Sequence, residues 1–177
     1  MKKNLIIAGI LSSMLIFSGC SGKNDLKDVK AITIDKGMIS KEIKIGSAMK
    51  IFTLKDQFDK KHKLSLTTKK LIFVATKATG HLTKGYLNKK PLDYLTKRDI
   101  LFVADVSKMP SIIYKMFALP DLQKHKYPIL IIEDEEIGKA YKSQKNFDKV
   151  MIVTLDNLVA KSVQYVTNEA DLKKAID

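Results

Sequence analysis

The chain has 177 residues, with 32 basic and 19 acidic side chains, a formal charge of +13, one cysteine and no tryptophan. Apolar residues make up 45% and charged residues 29%, a globular composition that excludes a disordered or fibrous chain. The length suits one domain of about 100–200 residues and excludes a large multidomain enzyme. A single cysteine excludes an intramolecular disulfide, a dithiol redox pair and any multi-cysteine metal cluster.

The first segment reads as an export signal. Lys2 and Lys3 give a positive start, and Leu5 to Phe17 is an uncharged, mostly apolar run. At 1.5 Å per residue that run reaches only about 20 Å as a helix, short of the roughly 30 Å hydrocarbon core. Its length and basic flank fit a signal peptide and not a membrane span. The run ends in Phe17-Ser18-Gly19-Cys20, which resembles the lipobox of bacterial lipoproteins, with Phe17 where leucine is usual. The resemblance implies a signal at 1–19, lipid attachment at Cys20 and a short tether at 20–30. The plain alternative is a secreted protein cut after Gly19 with Cys20 as a free thiol.

Acylation would make the lipid bilayer the first partner, since two or more acyl chains hold stably where one binds only marginally. The domain would then stand in the cell envelope. Ser21 resembles the second residue of lipoproteins sorted to the outer membrane, facing the periplasm if the cell is Gram-negative. Removing 19 of the 177 residues leaves 158, and the removed segment holds two lysines and no acid, so the charge becomes +11. All but one of the basic residues are lysine, the exception being Arg98, and they are spread along the chain. Readers of nucleic acid favour arginine for its bidentate fork. A solvated basic surface is expected, with no nucleic-acid partner.

Along the remaining chain, apolar runs alternate with amphipathic ones. Ile32 and Ile34, the turn signal Lys36-Gly37, and Ile43 and Ile45 predict an N-terminal hairpin. Ile51–Leu54 and Leu64–Leu66 predict a second pair around a turn over Lys55–Lys63. Leu71–Ala75, Ile100–Ala104 and Ile129–Ile132 are continuous apolar runs, as in strands covered on both faces, with Val150–Val153 a fourth. Helical features mark Thr83–Leu95, broken at Pro91, and Ser111–Leu119, with Pro110 in its first turn and Pro120 at its end. A last helix is expected from Asn168, as N-cap, through Ile176. Strands separated by helices predict an α/β sandwich with one domain over 31–177.

The stretch Ile51-Phe52-Thr53-Leu54-Lys55-Asp56-Gln57-Phe58, followed by Leu71–Ala75, resembles the start of thioredoxin-like domains of the peroxiredoxin and thiol–disulfide oxidoreductase group. Downstream, Lys126-Tyr127-Pro128-Ile129 resembles the segment in which a cis-proline precedes a buried strand. The resemblance covers roughly Ile51 to Asp177 in element order. It implies a thioredoxin-like α/β sandwich with an N-terminal β-hairpin extension, and a cis-proline at Pro128. The departure is chemical. Where that group has its reactive cysteine, this chain reads Thr76-Lys77-Ala78-Thr79-Gly80-His81. Attack on a peroxide or disulfide needs a thiolate, and Cys20 at the anchor is the only sulfur nucleophile. Thr76 and Thr79 are expected as helix caps, with His81 solvated.

No other constellation compels a chemistry. His62, His81 and His125 stand on separate segments without cysteine or spaced acids, so no metal is expected. Glu133-Asp134-Glu135-Glu136 lacks the alternating ligands and glycine of a calcium loop and reads as a solvated turn. Asp105 and Ser107 follow a central apolar run, where open α/β sheets place ligands. With Thr79 and His81 they form the candidate ligand crevice, although local capping at the start of the next helix is the preferred reading of Asp105 and Ser107.

The composite expectation is a membrane-anchored envelope lipoprotein with no cofactor and no catalytic residue. Its redox-inactive domain would serve as a binding or assembly module for an envelope protein. The alternatives are an enzyme of the same fold using non-thiol chemistry, and a small-ligand-binding lipoprotein.

Overall fold

Buried strands and intervening helices organise residues 43–141 and 146–177, the parts of the chain that the computed structural model describes. The strands are β1 (Thr53–Asp56), β2 (Lys61–Lys63), β3 (Lys70–Val74), β4 (Ile100–Asp105), β5 (Leu130–Ile132), β6 (Val150–Asp156) and β7 (Val159–Val166). They join one sheet in the order β2-β1-β5-β4-β3-β6-β7. β3, β4 and β5 run parallel at the centre, while β6 and β7 on one side and β1 and β2 on the other pair antiparallel. The helices are α1 (Lys77–Leu87), α2 (Tyr94–Lys97), α3 (Ser111–Ile113), α4 (Leu119–Leu122), α5 (Glu135–Tyr141) and α6 (Glu169–Ile176).

The continuous apolar runs are buried on both faces, as their lack of alternation predicts. Ile72, Val74, Phe102, Ala104 and Ile152 point to one face and pack with Tyr86, Leu87, Leu122, Leu172 and Ile176. Leu71, Phe73, Val103, Leu130 and Val153 point to the other and pack with Phe52, Leu54 and Leu64, with Ile137 against them. Fully burying each such side chain contributes roughly 1.5–3 kcal/mol, so the two layers dominate the fold.

Several boundaries differ from the expectation for local reasons. The second hairpin is tighter, because the Asp56 carboxylate accepts from Phe58 N at 2.9 Å, Lys60 N at 3.0 Å and His62 Nε2 at 2.7 Å. That pulls His62 into β2 and shortens the turn. α1 begins at Lys77, ahead of the predicted Thr83, because Thr76 caps it. The acidic run after β5 opens α5: the Asp134 carboxylate accepts from Glu136 N at 2.8 Å. β7 has no counterpart in the expectation, since it is a half-exposed edge strand, turned back from β6 through Asn157 and Leu158 at φ +48° and +68°.

The helix through Ser111 does not stop at Pro120. Pro110 is its N-cap, and a π turn over Tyr114–Ala118 leads into α4, in which Pro120 stands near the start. Proline cannot donate to the carbonyl four residues earlier; the wider turn, closed from Leu119 N to Tyr114 O, absorbs that loss.

Ile43 and Ile45, expected in a hairpin arm, are not in a strand. Gly46 turns the chain at φ +82°, its N–H donating to Ala160 O at 2.8 Å, and Ala48 forms a single antiparallel bridge to Val159. The expected signal at 1–19, Cys20, the tether and the arm at Ile32 and Ile34 lie outside the described residues.

Candidate binding site

β3 delivers the chain to the start of α1, where the sequence has two threonines in place of a thiol. Thr76 and Thr79 form a reciprocal capping box. Thr79 N donates to Thr76 Oγ1 at 3.3 Å, and Thr76 N donates to Thr79 Oγ1 at 3.1 Å. The Thr79 hydroxyl also donates to Thr76 O at 3.0 Å. Thr79 is thus buried within the cap, and both threonines are engaged by backbone.

A cavity of about 590 Å³ lies beside this junction. Its floor is the sheet surface of Val74, Phe102 and Ala104; one wall is the Lys77–Lys84 face of α1, and the other is Met109, Ile113 and Phe117. Lys84 lines it with a side chain only 11% exposed, held by Asp121 Oδ2 at 2.5 Å. Lys124 reaches the same carboxylate at 3.5 Å. The Lys84 ammonium, with Lys124 behind it, holds the Asp121 carboxyl below the usual carboxylate range despite some burial. Nearby His125 is pushed down, first by burial and then by Lys84.

Of the four expected crevice residues, the structure brings His81 and Asp105 to this cavity, and Thr79 and Ser107 are not in its lining. Thr79 is turned into its own cap, and strand parity turns the Asp105 and Ser107 side chains away from the cavity floor. Phe102 and Ala104 face the cavity side of the sheet, while Val103 packs in the opposite layer. Asp105 follows Val103, and its carboxylate turns toward α5. Asp105 Oδ1 accepts from Ser107 N at 2.9 Å and Ser107 Oγ at 2.6 Å. A Cβ added at Gly138 of α5 would lie 2.6 Å from Ser107 Oγ and 2.8 Å from Asp105 Oδ2. Asp105 and Ser107 therefore form a capping turn seated against a helix that must have glycine there.

Pro128 corrects the expected cis-proline. No peptide bond among the described residues is cis, so the Tyr127–Pro128 bond is trans, the lower state for a proline bond by about 0.5–1 kcal/mol. Pro128 also stands at the start of β5, which runs parallel to β3 and β4, so it lies toward the sheet end opposite Thr76 and Asp105. What holds this segment is Gln57, 2% exposed. Its Nε2 donates to Tyr127 O at 2.9 Å and His125 O at 3.0 Å, and its Oε1 accepts from Ile129 N at 2.8 Å.

Among the described residues no three metal-ligating side chains converge, and no helix is long and apolar enough to cross a membrane. The sequence reading missed Lys84, Asp121 and the apolar wall. The available signal was the Lys77, His81, Lys84 spacing, which puts all three on one helix face once the start of α1 is placed correctly.

No known family's sequence profile matches the chain, and no curated protein matches it. Solved structures do. A candidate protein disulfide isomerase from Bacteroides thetaiotaomicron aligns with a TM-score of 0.54 at 16% identity, over 76% of this chain and 86% of that one. A candidate thiol:disulfide interchange protein, DsbE, from Chlorobium tepidum aligns with a TM-score of 0.51 at 15% identity, over 76% of this chain and 96% of that one. The fold is thioredoxin-like, a mixed α/β sandwich, and residues 43–177 contain no cysteine.

Proposed function

We propose that this protein is a lipid-anchored envelope protein whose thioredoxin-like domain binds a partner or ligand without thiol chemistry. The observation that carries the reading is the Thr76–Thr79 capping box at the start of α1, in a domain without cysteine. A threonine hydroxyl whose bonds go to backbone and to its fellow threonine is neither a thiolate nor an activated nucleophile. Both neighbours are described as thiol–disulfide proteins; the sulfur such exchange needs is absent from this domain.

Anchoring rests on Phe17-Ser18-Gly19-Cys20 after a short apolar run. Replacing Cys20 with Ala is expected to abolish fatty-acid labelling and leave the precursor uncleaved; unchanged labelling refutes the anchor. Disulfide-exchange and peroxide assays of the protein are expected to show no turnover. Activity comparable to a true oxidoreductase would overturn the non-thiol reading. Between an assembly module and a small-ligand binder, the cavity beside α1 favours the second, and an envelope protein co-purifying with the native chain would favour the first.

A further inference from the structure

We infer that the cavity between α1 and the Met109–Lys124 segment binds a single-chain amphiphile with an anionic headgroup, such as a medium- or long-chain carboxylate. The inference rests on the small-ligand reading above. At about 590 Å³ the cavity has the size of known small-molecule sites, roughly 300–1,000 Å³. Its deep surface is formed by buried apolar side chains: Phe102 is 1% exposed and Leu122 8%. Its outer wall is apolar and still open to water, with Ile113 43% and Phe117 64% exposed. Ile112 and Met116, 64% and 62% exposed, belong to the same short segment, so exposed large apolar side chains cluster there.

The charge selects the headgroup. Lys77, His81, Lys84 and Lys124 stand around the apolar space; of the two acids among its described lining residues, Asp121 faces these cations and Asp105 turns its carboxylate toward α5. Both acids are engaged: Asp121 with Lys84 and Lys124, and Asp105 with Ser107. A cationic amphiphile would meet lysines, whereas a carboxylate would share the ammonium groups that Asp121 neutralises only in part.

Gly80 supplies a handle on the cavity. It lies within α1, lines the cavity and has an ordinary φ, and a Cβ added there meets nothing within 4 Å. Glycine costs a helix interior roughly 1 kcal/mol relative to alanine. Gly85 of the same helix is equally open but does not line the cavity, so Gly80 is the helix position at which a larger side chain would enter it.

The test uses the full chain carrying Cys20→Ala, which removes a covalent acyl chain as a competing occupant, and dodecanoate below its micelle concentration. Equilibrium dialysis is expected to give saturable one-to-one binding, weaker by about tenfold or more for dodecanol and for dodecyltrimethylammonium. Gly80→Leu fills the cavity with a better helix former and is expected to lose binding while keeping or raising Tm. Lys84→Met is expected to weaken dodecanoate by about tenfold and leave dodecanol unchanged. Equal binding of all three amphiphiles, undiminished binding by Gly80→Leu, or binding to phosphatidylglycerol vesicles but not to dodecanoate would each overturn the proposal. Thiol turnover by the native chain, with dodecanoate binding by the Cys20→Ala chain intact, would remove the non-thiol reading and leave this site standing.

Discussion

Tyr94 donates its hydroxyl to the Asp177 carboxylate, fastening α2 to the end of α6. Tyr86 of α1 donates to the same oxygen at 2.8 Å, and Lys90 approaches it at 3.2 Å while lying over both tyrosine rings. Three elements that cover one face of the sheet thus converge on one acid.

This convergence predicts an acid-sensitive clasp. Burial alone would raise the Asp177 carboxyl, but the bonds from Tyr94 and Tyr86 and the Lys90 charge outweigh it and bring it to about 2, from 3.8. A carboxylate lowered in the folded state stabilises fully above its ordinary value and loses that contribution as pH falls through the folded value. Thermal melts of the native chain and Asp177→Asn should therefore differ near neutral pH and converge as pH falls from about 4 to about 2. A gap independent of pH would show that the clasp is not electrostatic.

Gln57 should be among the costliest single polar positions. Gln57→Leu leaves Ile129 N and two carbonyls without their partner in a buried place, at an expected cost of about 2–3 kcal/mol in urea unfolding. Gln57→Glu should cost more near neutral pH, because it sets a carboxylate against two carbonyl oxygens. A loss under about 0.5 kcal/mol for both would mean that the segment before β5 is held by something else.

For the α1 cap, Thr76→Ala is expected to cost about 1 kcal/mol and Thr76→Ser to restore most of it. Hydrogen exchange at Thr79 N should quicken in the alanine variant only. Equal protection in both variants would contradict the capping box.

Gly138→Ala brings a Cβ to 2.6 Å from Ser107 Oγ, against a gain in helix propensity of up to about 1 kcal/mol. The net effect is expected to be destabilisation by roughly 1 kcal/mol, shrinking when Ser107 is also alanine. A double-mutant cycle reads the coupling directly. Additive costs would mean that the close approach is relieved without disturbing Ser107.

Much of the fold was legible because its signals are local. The runs at Leu71, Ile100, Ile129 and Val150 became four central strands, and Asn168 caps α6 through Asp171 N at 2.9 Å. Asp56-Gln57 drew the thioredoxin-like resemblance, and the structure gives each a task, one closing a turn and the other bracing β5. The β7 edge strand and α5 were missed because half-exposed β7 and charge-rich α5 offer little clear periodicity. At the candidate site, His81 and Asp105 were found and Lys84, Asp121 and the apolar wall were not. Lys84 and Phe117 look like surface and core residues until α1 and the π turn stand side by side.

The sequence by itself determined the chemistry this domain lacks, because composition and position settle that residues 43–177 hold no thiol. It also determined the central layer, since unbroken apolar runs have no stable place except between two covered faces. Only the tertiary structure decided where side chains meet. Strand parity sent the Asp105 carboxylate to α5 and left Phe102 as the cavity floor. The parallel arrangement put Pro128 toward the opposite end of the sheet, and Asp121 settled on Lys84, 37 residues away. Those are long-range pairings, and no local propensity specifies them.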